Sequence, residues 1–528
     1  MTEKLDWIVG QARSGRMSRR EFLGRSTAMG LSAALAGALY SKAALAQEPK
    51  KGGLIRAGLA GGESTNSLDP ALAASEVPFM TNVTWGETLV REGATGGVEM
   101  RIAEEVSSSP DAKVWTFKIR QGVEFHDGKT VTAEDVVATL KRHTDEAAQS
   151  GALGVVKDIA EMKAEGDMVT LTLNTANADL PYLMADYHLV IQPGGGVDNP
   201  AAGIGAGPYK VEVFEPGVRI GFTKHANYFD SGTGHADQVE FLIINDNTAR
   251  TAALQSGQVH MINRVDPKIS ELLKGAPGVS VKSVPGRGHY VFIMHVDKAP
   301  FDNNDLRMAL KLAIKRQEMV DKILGGLGSV GNDFPINAAY PLFDDTIPQR
   351  EYDAAAAAEA YKKSGHDGSP IVLRAAPGAF PGAVDAANLF AASANAAGIP
   401  LTVQLEPDDG YWSNVWNVQP FCASYWGGRP VQDQMYSTAY LSTADWNDTK
   451  FKNATFDELL LAARGELDQA KRKDEYSKMA HILRDEGGLI LPMFNDFVDG
   501  VRDEVQGWTE DPNGELMNGR AMVKCWLA

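Results

Sequence analysis

The chain reads as an α/β protein. Patterns of period two and period 3.6 alternate along it, one stretch spells out a whole βαβ unit, and another joins strand, turn and capped helix without a gap. In chain order, Trp115, Phe117 and Ile119 alternate with Thr116, Lys118 and Arg120, which makes a strand with one buried face. His126-Asp127-Gly128-Lys129 supplies a turn, and Thr132 with Asp135 forms a capping box opening a helix whose inner face is Val136, Val137 and Leu140. Val169, Leu171 and Leu173 alternate as a second strand, while 239–244 and 290–296 are the denser apolar runs of buried strands. Leu306, Ala309, Leu310, Ala313 and Ile314 form a helical stripe with Asp305 placed as N-cap. Residues 371–374, a helix through 387–397 and residues 401–405 form the βαβ unit, which requires a right-handed crossover and a parallel pair. A Thr455-x-x-Glu458 capping box starts a further helix.

The first 46 residues carry a different message. Ser18-Arg19-Arg20-Glu21-Phe22-Leu23 matches a twin-arginine export motif, and 27–40 is an Ala- and Gly-rich apolar stretch too short to anchor in a bilayer. Ala44-Leu45-Ala46 offers small residues to an export peptidase, so the mature chain is expected to begin at Gln47. No Cys stands at that point to take a lipid, which leaves a free periplasmic protein without membrane insertion. About 480 mature residues with 44% apolar content can bury several cores, so two or more lobes are expected. The chain carries −17. Its first 46 residues hold seven basic and three acidic side chains, so the remainder carries −21, a surface that does not seek nucleic acid or anionic lipid. For Cys422 and Cys525 in an oxidising compartment two readings stand, a disulfide or two isolated buried thiols, with the second favoured.

Six ordered landmarks carry a resemblance over nearly the whole mature chain: Leu68-Asp69-Pro70; the Trp115-to-Arg142 segment; Gly205-Ala206-Gly207-Pro208-Tyr209 followed by Asn227-Tyr228; the 245–259 helix ending in Ser-Gly; Pro300-Phe301-Asp302; and Leu306-Arg307-Met308-Ala309-Leu310. In these the chain resembles the large peptide-type substrate-binding proteins of ABC importers, the family of dipeptide-, oligopeptide- and nickel-binding periplasmic proteins. The resemblance implies a two-lobed periplasmic-binding-protein fold with an extra subdomain inserted in the first lobe. By that analogy 47–84, 208–286 and 495–528 build lobe I, 85–207 its inserted subdomain and 287–494 lobe II, with hinge strands near 288–296 and 489–494. It also implies a monomer that captures a short peptide or a peptide-like, carboxylate-bearing small molecule by closure of the lobes and presents it to the membrane permease.

Competing readings are an enzyme or folding-helper on the same fold, and a binder of a metal complex or haem. Against the first, the chain has no Gly-x-Ser-x-Gly elbow, His-Glu-x-x-His, phosphate loop or Cys-x-x-Cys. Against the second, its ten histidines lack metal-ligand spacing, and neither a metal nor a cofactor is expected.

The segment that should decide cargo runs from 408 to 440 and holds Tyr411, Trp412, Trp416, Tyr425, Trp426, Tyr436 and Tyr440. Aromatic walls of this kind cover apolar or planar ligand groups, although core packing explains Trp416 and Tyr440 equally well. Tyr425-Trp426-Gly427-Gly428-Arg429 resembles the family's strand-end Trp-x-Gly-Asp motif, with Arg429 where dipeptide binders place the Asp that holds the ligand's ammonium. The charge there is reversed. Either Arg429 grips a ligand carboxylate with its planar fork, or it pairs with Asp433 and shapes the cleft; Asp433 could also take over the acidic role. Where those relatives carry an Arg for the peptide carboxylate, this chain has Pro377-Gly378-Ala379-Phe380. The expected ligand contacts are therefore Trp426, Arg429, Tyr425, Gly427, Asp433, Trp412, Tyr411 and Phe380.

Overall fold

The computed structural model describes residues 49–528 apart from 74, 95, 408–410 and 445, together with Phe22 and Ser26. The expected cleavage point and, Phe22 excepted, the export motif lie outside the described residues.

One mixed sheet forms the backbone of the molecule. Its strands run in the order Leu401–Leu405, Ile371–Ala375, Phe421–Trp426, Val279–Met294, Leu489–Arg502, Met261–Ile262, Leu54–Leu59, Gln238–Ile243, Arg219–Lys224 and Tyr209–Glu215, and Gly328–Val330 pairs with Leu489–Arg502 off this path. The βαβ unit forms as its pattern requires: Ile371 lies opposite Leu401 in a parallel pair, with the helix Ala383–Ala396 between the strands. Val279–Met294 and Leu489–Arg502 are long enough, at 16 and 14 residues, to belong to the cores at both ends of the sheet. Val279 and Val498 join the core around Leu254 and Ile262 at one end, whereas Phe292 and Ile490 join the core around Leu310, Leu373 and Phe390 at the other. Their pairing slips between Pro285 and His289 and again between Tyr290 and Phe292, so the ladder is weakest midway along.

A second, four-stranded antiparallel sheet has its own core. Its order is Ala103–Ser108, Val114–Ile119, Met168–Leu173, Ile159–Glu165. Trp115, Phe117 and Ile119 point inward as their alternation demands, onto Val136 and Leu140 of the helix Ala133–Thr144. That helix starts with the expected capping box between Thr132 and Asp135. Its Arg142 reaches back to grip both oxygens of Asp69, each at 2.6 Å, which ties this unit to the Leu68-Asp69-Pro70 turn. Two further sequence landmarks touch each other: the His126 amide donates to the Gly205 carbonyl at 2.9 Å and His126 Nε2 lies 3.0 Å from the Gly207 carbonyl. Burial holds His126 at about 4, so the ring stays neutral and uses Nε2–H as the donor. Gly207 is required by close approach, since a Cβ there would come within 2.4 Å of the Trp85 backbone.

Two helix starts differ from the sequence expectation for one reason. Asn303, not Asp305, caps the helix Asn304–Leu312, its side chain accepting from the amides of Asp305 and Leu306 at 3.0 and 3.3 Å. Asp305 then falls in the first turn, where its charge suits the helix dipole. Likewise Asn453 caps Ala454–Gly465 by accepting from Phe456 at 3.0 Å, and Thr455 lies inside the helix. Asparagine caps as strongly as Asp or Ser, and in both cases it stands upstream of the residue the pattern favoured. Cys422 and Cys525 are free, buried and in separate cores, so no disulfide joins them.

Candidate functional site

The strand Phe421–Trp426 pairs antiparallel with Val279–Met294, placing Tyr425 opposite Tyr290 and Trp426 opposite His289. Side chains alternate across a strand, so the two faces part here. On one face Tyr425 is 51% exposed, and Tyr290 stacks on Phe380 at 4.4 Å with 8° between ring planes. Phe380 is itself buried and meets this face through Tyr290. On the other face Trp426 is nearly buried, its indole N–H donating to Asp448 at 3.2 Å, and Trp416 donates to the same oxygen at 3.0 Å. Burial pushes the Asp448 carboxyl up to about 7.

The chain then turns through Gly427 and Gly428. Gly428 adopts φ +81°, and a Cβ there would lie 2.4 Å from Arg287 Cβ, so this turn has room only for glycine. Arg429 follows, half-buried. Its amide donates to the Tyr340 hydroxyl at 3.0 Å, its Nη1 donates to the Gly428 carbonyl at 2.6 Å, and its guanidinium lies 5.7 Å from the centre of the Trp426 ring. It makes no ion pair among the described residues. The neighbouring His289 is held neutral, at about 4, chiefly by burial, so Arg429 meets no opposing charge there.

Asp433 does not partner Arg429. It is buried and bound to Arg464 at 3.0 Å, and burial with the nearby Asp179 raises its carboxyl to about 6 against the pull of Arg464. Both the pairing of Arg429 with Asp433 and a cleft role for Asp433 therefore give way to an internal ion pair one helix turn deeper. Tyr411 also departs from expectation: it is 1% exposed and its hydroxyl donates to the Ala423 carbonyl at 2.8 Å, in the core beneath the strand. Trp412 lies on the short helix Tyr411–Asn414, and its side chain is outside those described. Tyr436 and Tyr440 are core residues packed with Tyr476 and Phe456.

Facing this wall is a second one that no motif announced. Arg264, at φ +53° just after Met261–Ile262, donates to Glu515 at 2.9 Å and lies 3.6 Å from Glu76, the first residue of the helix Glu76–Trp85. Asn263 donates to the other Glu515 oxygen at 2.8 Å. From the same helix Phe79 packs against Tyr187, ring centres 4.0 Å apart. The two groups of residues lie near enough to feel each other's charge: Glu76 and Arg429 both act on the Tyr187 hydroxyl, and Tyr425 acts on Arg264 and Tyr290. Nearby, buried ion pairs join Arg287 to Glu92 at 2.6 Å and Arg472 to Asp179 at 2.5 Å. Among the described residues no group of three or more His, Cys, Asp or Glu is arranged to hold a metal, and no helix is long and apolar enough to cross a membrane.

The candidate site thus joins an aromatic strand end that carries Arg429 to a cluster of Glu76, Arg264 and Glu515. The family model of bacterial extracellular solute-binding proteins, family 5, matches residues 97–448, and the chain belongs to that family. It is an extracytoplasmic solute-binding protein of the kind that serves ABC importers. It is 26% identical, over 84% of its own length and 88% of the relative's, to di/tripeptide-binding protein 1 of Pseudomonas aeruginosa. Over half of each chain it is 27% identical to the glutathione-binding protein GsiB of Escherichia coli. The periplasmic binding protein DppA of Helicobacter pylori, solved with a peptide, has the same fold: TM-score 0.76 over 90% of this chain and 98% of that one, at 21% identity.

Proposed function

We propose that this protein captures a short peptide or a peptide-like, carboxylate-bearing small molecule between its lobes and hands it to the permease of an ABC importer without turning it over. The lobes are those drawn from the sequence: 47–84, 208–286 and 495–528 with the 85–207 insertion on one side, 287–494 on the other. The observation that carries the reading is Arg429, an arginine beside the indole of Trp426 with no acidic partner among the described residues, at a strand end facing Tyr187. A guanidinium so placed offers a planar two-pronged donor to a carboxylate entering the cleft. Tyr425 would cover the ligand's body, Trp426 backs Arg429 from the core, and the exposed Gly427 leaves the backbone open to the ligand. The di/tripeptide-binding relative supports a peptide-like cargo. Export by the twin-arginine route, with the mature chain starting at Gln47, and action as a monomer belong to the same proposal.

The test is calorimetry with alanyl-alanine and its C-terminal methyl ester on the wild type and Arg429→Ala. Loss of a carboxylate partner in a closed cleft should cost roughly 2 to 5 kcal/mol. The ester should weaken wild type strongly and the variant little. Additive losses, meaning no coupling between Arg429 and the carboxylate, would return Arg429 to a purely structural role.

A further inference from the structure

We propose that the wall opposite Arg429 is a cation-binding pole, in which Glu76 and Glu515, set around Arg264 above the buried Asp499, receive the ammonium group of a zwitterionic ligand. The inference rests on the reading that Arg429 takes the ligand's carboxylate, and it defines the other end.

Two carboxylates share one guanidinium. Glu515 takes Arg264 at 2.9 Å and Asn263 at 2.8 Å, while Glu76 stands at 3.6 Å from the same arginine, beyond hydrogen-bond length. Arg264 is nearly half exposed to the cleft, so solvent or a ligand reaches the group. Beneath it Asp499 is 1% exposed; its Oδ2 accepts from the Leu516 amide at 2.7 Å, and its Oδ1 has no hydrogen-bond partner. The backbone that holds this pole is forced. Arg264 and the three consecutive residues Leu516, Met517 and Asn518 all have positive φ, between 48° and 60°, a conformation that costs non-glycine residues energy and clusters where geometry serves binding. Phe79, on the same helix as Glu76, packs against Tyr187, whose hydroxyl feels the Glu76 charge, and aromatic faces suit a bound ammonium.

The charge sum explains what the pole wants. Three carboxylates gather round Arg264, and the buried Arg250, which donates to the Arg264 carbonyl at 2.9 Å, acts on Glu515 from behind, so full ionisation would leave one uncompensated negative charge in a half-buried space. Burial, then Glu515, hold the Glu76 carboxyl at about 8 against the pull of Arg264, and Asp499 is raised well above its ordinary value by burial, Glu515 and Glu76. The groups facing Glu76 are Arg264, Glu515, Asp499 and Tyr187, with Arg250 behind Arg264 and Glu515, and Asp186 behind Tyr187 engaged by His188 at 2.6 Å. At neutral pH the empty pole therefore keeps a proton on Glu76. A ligand ammonium supplies the missing positive charge and releases that proton.

The experiment uses the mature protein with three probes, alanyl-alanine, its N-acetyl derivative and its C-terminal amide, read by calorimetry at pH 7 in buffers of differing ionisation enthalpy. Acetylation should weaken binding to wild type at least tenfold. Alanyl-alanine should release protons on binding. Glu76→Gln should abolish the release and bring the free and acetylated peptides within about threefold of each other, while the amide stays discriminated against through Arg429. Glu515→Gln serves if Glu76→Gln fails to fold, and the wild-type comparison needs no variant. Equal binding of free and acetylated peptide, or binding without proton release, overturns this inference and leaves the Arg429 reading standing. Failure of all three probes to bind overturns the peptide-like ligand class and this inference with it.

Discussion

The Arg287 guanidinium meets Glu92 at 2.6 Å with both side chains almost fully buried, and in the same position donates twice to the Ala339 carbonyl. One side chain thus fastens the hairpin Val90–Glu92 and Val98–Met100 to the long strand Val279–Met294 and the loop beside Tyr340. Glu92→Gln should loosen this clasp: removing one partner of a buried pair costs about 3 to 5 kcal/mol. In the proposed division the pair joins the 85–207 insertion to lobe II, so the expected signs are a larger radius in small-angle scattering without ligand and a weaker Kd for every ligand alike. An unchanged radius would show that Arg287 holds Glu92 in the open form as well.

Gly427 and Gly428 should respond oppositely to alanine. A Cβ at Gly427 meets nothing within 4 Å, whereas at Gly428 it meets Arg287 at 2.4 Å and must adopt φ +81°. Gly427→Ala should leave thermal stability within about 0.5 kcal/mol of wild type. Gly428→Ala should cost about 1 to 3 kcal/mol through strain and displace Arg429. Equal effects of the two on stability would contradict the packing described.

Asp448 predicts a pH dependence of stability. Its folded carboxyl titrates at about 7 against an ordinary 3.8, so between those values the native state binds a proton that the unfolded chain has lost. Stability therefore falls as pH rises through this window, by up to about 4 kcal/mol at pH 8 for this group alone. Asp448→Asn keeps an acceptor for both indoles and removes the titration. Urea unfolding at pH 5 and pH 8 should show a smaller loss for the variant than for wild type; equal losses would place the titration elsewhere.

Both thiols should be inert in the folded protein. Burial pushes Cys525 up to about 12 and Cys422 higher, and neither side chain is exposed. Ellman's reagent at pH 8 should find no thiol in the native protein and two in urea, and dithiothreitol should leave Tm unchanged. One rapidly reacting native thiol would contradict this.

The elements legible in the sequence were those whose signal is local. Period-two alternation gave Val114–Ile119 and Met168–Leu173, the Thr132–Asp135 box gave the start of Ala133–Thr144, and strand, helix and strand spacing gave the parallel pair at Ile371–Ala375 and Leu401–Leu405. The stretch from Trp426 to Arg429, proposed as one side of the site, stood out too because it is contiguous. The opposite side did not: Glu76, Tyr187, Arg264 and Glu515 come from four distant segments, and only the sheet order brings them together. Tyr411 was misplaced because aromatic density is the same signal for a cleft lining and for a core; only its hydroxyl's bond to Ala423 separates them. Asp433 misled through proximity in sequence, since a helix turns its side chain away from Arg429 and toward Arg464.

The order of strands in the main sheet also governs when the molecule is finished. Leu54–Leu59 pairs with Gln238–Ile243 on one side and Met261–Ile262 on the other, and the far edge of Met261–Ile262 pairs with Val501 and Gly500 of Leu489–Arg502. The first strand among the described residues thus waits for one of the last before its layer is closed. The sheet around Ala103–Ser108 and Val114–Ile119 draws on consecutive residues and is free of that delay. Synthesis from the N-terminus would yield a folded middle carried on unfinished ends, and truncation near the C-terminus should disable the segment nearest the beginning.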